Sequence, residues 1–107
     1  MLLLTADAMW SVSAEDLNDY PTVVRADYIF ACMKANGETR QALERCSCSI
    51  DMIASVLPYE RYVTAETVLS MAQVPGTLGS QFRSTENAKV SVDELRRAQA
   101  EAEVRCF

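Results

Sequence analysis

The sequence predicts an all-α fold: a small domain of three to four helices stapled by two disulfides. Three observations predict it. Apolar residues recur at helical spacing in four stretches, and no run shows the sustained alternation of a strand. Glycine and proline are scarce, three of each in 107 residues, which favours long regular elements over many short strands and turns. Four cysteines occur in a chain too short to bury a large core, where covalent staples help most.

The elements follow in order. Pro21 opens the first helix, with Asp19 or Thr22 as its cap, and Val24, Tyr28, Ala31, Cys32 and Ala35 recur on one side. Asn36-Gly37 stops it, because both residues tolerate the left-handed conformation at a helix C-terminus, so the helix covers about 21–35. Thr39 caps the second helix, where Leu43, Cys46, Ile50, Ile53 and Leu57 form one apolar stripe. Pro58 ends it, having no N–H to donate, and suits the first turn of a third helix. That third helix runs through Tyr59, Tyr62, Ala65, Val68, Leu69 and Ala72 to about Gln73. Pro75-Gly76, Gly79 and Ser80 read as a loop. The fourth helix starts either at a Ser84 or Thr85 cap or at a Ser91–Glu94 capping box, and it runs to Cys106 through good helix formers.

Composition bounds the function. Half the residues are hydrophobic and 23% are charged, an ordinary globular balance. The net charge of −5 disfavours nucleic acid and anionic membrane surfaces, both of which call for basic patches. No stretch reaches the ~20 apolar residues of a membrane span, so no membrane insertion is expected. The chain has no histidine, which removes Ser-His-Asp and Cys-His catalysis and every histidine-containing metal site. There is no EF-hand loop and no glycine-rich phosphate loop, and Ser47 has no neighbouring base in sequence. The expected partner is another protein or a second copy of the chain.

The N-terminus resembles the back half of a secretory signal. Met1 to Trp10 is apolar apart from Thr5 and Asp7, and Val12-Ser13-Ala14 places small residues where signal peptidase cuts. Residues 1–14 therefore read as a signal remnant and 15–107 as one helical domain, in the periplasm. The competing reading is a short amphipathic helix of the fold.

Cys32, Cys46, Cys48 and Cys106 read as two disulfides, in keeping with an oxidising compartment. Cys46 and Cys48 lie about 200° apart around a helix and so face different neighbours. Their heights favour Cys32–Cys46 with Cys48–Cys106, and the pairing that swaps the partners of Cys46 and Cys48 stays open. A Cys₄ zinc site is the alternative use of the four thiols, although no C-x-x-C spacing supports it.

Three further groups carry candidate roles. Glu44 and Asp51 share a stripe with Cys48 and Ser55 and offer oxygen ligands for a calcium-like hard cation, or else form a solvated face. Glu94, Arg97, Glu101 and Arg105 alternate in sign at helical spacing and read as a structural ion-pair ladder. Tyr20, Tyr28, Tyr59 and Tyr62 read as core rings whose hydroxyls find partners, with an aromatic binding patch as the alternative. Met33, Met52 and Met71 are adaptable apolar fillers.

Tyr20-Pro21, Tyr28, Cys32-Met33, Asn36-Gly37, Cys46-Ser47-Cys48-Ser49-Ile50-Asp51, Pro58-Tyr59, Phe82-Arg83 and Cys106 together resemble a family. It is a family of small exported, cysteine-containing helical proteins of methylotrophic proteobacteria. The resemblance spans roughly 19–107, and its most specific part is the C-S-C-S-I-D segment. It implies an accessory protein of quinoprotein (PQQ) alcohol dehydrogenase systems, where landiscernin-like proteins handle lanthanides. It implies no enzyme, and it defines no ligand set residue by residue.

If residues 1–14 are a signal remnant, they contribute nothing to the helical stripes. A chain beginning at Glu15 should melt within a few degrees of the full sequence, as followed by circular dichroism. A loss of stability well beyond that would show that Met1–Trp10 packs as part of the fold.

Overall fold

The computed structural model describes residues 19–107, so the signal-like stretch 1–14 lies outside the described residues. Among those described there are five α-helices and no strand: α1 Thr22–Asn36, α2 Arg40–Val56, α3 Tyr59–Ala72, α4 Thr77–Ser84 and α5 Glu86–Cys106.

Local chemistry accounts for most boundaries. Pro21 sits at the N-cap of α1 in an extended conformation, and its carbonyl accepts the Arg25 N–H at 3.1 Å. Gly37 adopts a positive φ of 107° and donates its N–H to the Met33 carbonyl, closing the last turn. Thr39 Oγ1 accepts the Ala42 N–H at 3.1 Å, satisfying one of the orphan donors at the start of α2. Pro58 stands one position outside α3, at its cap, where its carbonyl accepts the Arg61 and Tyr62 N–H groups.

The stretch read as a loop is largely helical. Only 73–76 connects α3 to α4, and Gly79 and Ser80 lie inside α4. Gly76, with φ 87°, makes the turn. Gly79 has another purpose: a Cβ there would lie 1.7 Å from the Val74 carbonyl oxygen. Its missing side chain permits a close backbone approach, so here glycine marks packing, not a break. α5 begins at Glu86, straight after Thr85, whose side chain makes no cap bond. Ser91 and Glu94 lie within the helix and form no capping box.

α2 is the centre of the packing. α1 lies along it on one side, α5 packs across both α2 and α3, and α4 rests on α3 and more lightly on α5. The core joins Ile50 and Ile53 of α2, and Leu57 just after it, to Tyr62 and Ala65 of α3. Leu95, Ala98 and Ala102 of α5 complete it from the other side, and Tyr20 closes one end. The predicted α2 stripe is buried apart from Leu43, which is half-buried while Ala42 beside it is buried. The predicted α1 stripe fares differently. α1 contains no buried residue, because α2 is its one close neighbour, and Ala31 and Ala35 remain exposed.

Two substitutions test this packing by denaturant unfolding. Ile53 is fully buried, and Ile53→Ala should lower the unfolding free energy by about 2–5 kcal/mol. Gly79→Ala should also destabilise. In an ordinary helix interior the same change stabilises by roughly 0.5–1 kcal/mol, so a destabilising sign is the signature of the close Val74 carbonyl.

Candidate functional site

The frame is covalent. Cys32 pairs with Cys46 and Cys48 with Cys106, with Cα separations of 5.8 and 5.7 Å. No cysteine is free among the described residues, so the thiolates that a Cys₄ zinc site needs are not present. The bonds close sequence separations of 14 and 58 residues. Chain-entropy arguments put such closures at about 3 and about 4 kcal/mol of stabilisation. Cys46 is fully buried, and the guanidinium of Arg45 lies 5.9 Å from the ring centre of Phe107, beside the second bond.

Glu44 and Asp51 stand on the exposed side of α2, two turns apart, about 10 Å of helix rise. Each has an arginine nearby: Arg40 Nε is 3.3 Å from the Glu44 carboxylate, and Arg25 Nη1 is 3.9 Å from that of Asp51. Among the described residues, no group of three or more His, Cys, Asp or Glu side chains is placed to hold a metal ion. The two carboxylates alone fall short of the 6–8 oxygens that a calcium-like cation takes.

The predicted ladder on the last helix is half present. Arg105 donates to Glu101 at 2.8 Å, one turn apart. Glu94 turns away from the ladder and takes a two-pronged contact from Arg61 of α3, with Nε to Oε1 at 2.9 Å. Spacing along one helix could not reveal a partner on another. Arg61 holds the Glu94 carboxyl below the ordinary carboxylate range, chiefly through that hydrogen bond.

The tyrosines divide. Tyr20, Tyr59 and Tyr62 form a cluster with ring centres 5.1, 5.1 and 6.5 Å apart. The Tyr20 hydroxyl donates to the Leu57 carbonyl at 2.7 Å, where α2 turns into α3. Tyr28 shares a 2.8 Å hydrogen bond with Ser49, the one buried polar side chain among the described residues. Both Tyr20 and Tyr62 are core rings with raised pKa values. Burial is the main cause in each, and it pushes Tyr62 up to about 12 with Glu66 adding repulsion.

Clefts open between the helices. One of about 480 Å³ lies at the α2–α3 corner against α5, with Val56, Leu57, Pro58 and Ala98 as its apolar wall and the Arg61–Glu94 pair at its edge. A second of about 460 Å³ lies between α3, α4 and α5. A smaller polar one of about 250 Å³ gathers Tyr28, Asn36, Ser49, Gln99 and Glu103 beside Cys32. Sequence patterning gave no sign of these clefts, because each draws its walls from residues far apart in the chain. Val56 at the first cleft is 53% exposed although it is a large apolar side chain. Phe30 is 64% and Val23 65% exposed on the outer side of α1.

Comparison with known proteins finds no matching family model, no matching curated protein and no matching solved structure. No helix among the described residues is long and apolar enough to cross a membrane.

The raised tyrosine pKa values set a pH dependence. A phenol whose folded pKa exceeds its unfolded value near 10 adds stability below pH 10, and that stability is lost as the pH rises towards the folded value. The melting temperature should therefore fall between about pH 10 and 12 as the Tyr62 phenolate is forced to form. Tyr62→Phe should flatten that fall, as read from melting curves across the alkaline range.

Proposed function

We propose that this protein is an exported, non-catalytic accessory protein that works by binding, in the quinoprotein alcohol oxidation setting implied by its family resemblance. The observation that carries the reading is the α2–α3 corner cleft. Its apolar wall includes the half-exposed Val56, and charges from Arg61, Glu94, Arg97 and Glu101 surround it. An apolar centre with a polar rim is the make-up of a protein-binding surface. The disulfides support export to the periplasm, since such bonds persist in oxidising compartments. The Cys48–Cys106 bond also ties α2 to α5, the helix that lines the cleft with Glu94, Arg97, Ala98 and Glu101. Lanthanide handling is the finer form of the same role. With Glu44 and Asp51 as its ligands, it requires further carboxylates from a partner or a second copy.

The test is sedimentation of the full chain with a quinoprotein alcohol dehydrogenase holoenzyme. A saturable complex that Val56→Asp weakens at least tenfold supports the reading. No complex at about 100 µM overturns the assignment to that enzyme class. A lanthanide titration with calcium as competitor decides the finer form. Saturable binding tighter than about 10 µM should appear, weaken below about pH 4–5 and be lost in Glu44→Gln and Asp51→Asn. Absent that behaviour, the protein acts without metal.

A further inference from the structure

The cleft between α3, α4 and α5 differs from the others in charge. Its floor is apolar, with Val68 and Ala88 buried, and its walls are the half-buried Leu69, Phe82 and Val92. Arg83, Lys89 and Arg96 stand around it, and Asp93 is the single acid among the residues that line it. The whole chain has ten basic residues against fifteen acidic ones, so three cations on one cleft run against the overall balance. The corner cleft, by contrast, sets Glu60, Glu94 and Glu101 against two arginines. The polar cleft is bordered by Glu103 and by no cation.

The cations are also available. The side chains of Lys89 and Arg96 are exposed and make no ion pair or hydrogen bond among the described residues. Arg83 spends one N–H on the Ala72 carbonyl at 2.6 Å, which pins its guanidinium at the cleft and leaves its other donors open. The same guanidinium lies 3.2 Å from where a Gly79 Cβ would be, so the bare glycine gives it room. At about 460 Å³, with apolar walls and a few charged groups at the edge, the cleft has the size and make-up of a small-ligand site.

From these features we propose that the α3–α4–α5 cleft binds a single-chain aliphatic carboxylate as a monomer. The hydrocarbon lies along Leu69, Phe82 and Val92, and the carboxylate meets the Arg83, Lys89 and Arg96 rim. This site is separate from the corner cleft assigned to a protein partner, so either reading can fail alone.

Calorimetric titration of the full chain with hexanoate, octanoate and decanoate, all as monomers, tests the proposal. Affinity should rise about fourfold per methylene until the cleft is filled. Octanoate should bind at least tenfold more tightly than 1-octanol or octylammonium. The Lys89→Glu/Arg96→Glu double variant should lose that preference while its circular dichroism stays unchanged. Val92→Gln, which keeps the charges, should weaken the whole series. The proposal is overturned by no saturation with decanoate at about 1 mM, by equal binding of octanol and octanoate, or by indifference to the charge reversals. Two other outcomes also overturn it. Binding to phosphatidylglycerol vesicles without binding of monomeric decanoate would assign the patch to a membrane surface. A self-association abolished by the same reversals would assign it to a second copy.

Discussion

Cys46 and Cys48 are two residues apart on α2, and the turn of an α-helix carries that interval through about 200°. One helix is thereby fastened on two sides, to α1 through Cys32 and to the end of α5 through Cys106. α1 depends on this most. It buries no residue of its own, and apart from the disulfide it is held by half-buried Val24, Tyr28 and Ile29, by the Tyr28–Ser49 hydrogen bond and by the Arg25–Asp51 contact. The second disulfide encloses the rest of α2, all of α3 and α4 and nearly all of α5 in one closed loop, which limits how far these helices can part in the unfolded chain.

A disulfide also demands a short distance between backbones, and the packing meets that demand with small residues. Ala98 and Ala102 lie on the buried side of α5 in the two turns before Cys106. Their size lets α5 approach α2 closely, while Ile50, Ile53 and Leu95 fill the deeper space. Gly79 works by the same logic in α4, where only a missing Cβ fits against the Val74 carbonyl. The short α4 then stands off from the first half of α5, and the gap is the cationic cleft.

Charge on this protein is uneven in a way that the net value hides. Arg25, Arg40, Arg61 and Arg105 each stand near a carboxylate. These are exposed or half-exposed pairs of small energetic weight, yet they occupy the cations over much of the surface. Arg83, Lys89 and Arg96 are not so occupied by acids, and they converge from two helices on one apolar cleft. The Glu44 and Asp51 carboxylates are spread along α2 instead of being gathered.

Helix class, most helix boundaries, the α2 stripe and the favoured disulfide pairing were legible in the sequence, because each depends on local signals. Pro21, Gly37, Thr39 and Pro58 act on their own turn of chain, and the period of 3.6 residues determines which cysteines can face which neighbour. Tertiary structure alone decided the rest. Gly79 lies inside a helix where its sequence signal suggests a loop, against a Val74 carbonyl that leaves no room for a Cβ. Glu94 pairs with Arg61 across 33 residues of sequence instead of joining the ladder on its own helix. The apolar pattern of α1 suggests burial that a single neighbouring helix cannot provide. The clefts, and with them the candidate sites, arise where three helices meet imperfectly. A sequence specifies the faces of its helices, but the gaps between those faces exist only once the helices are set against one another.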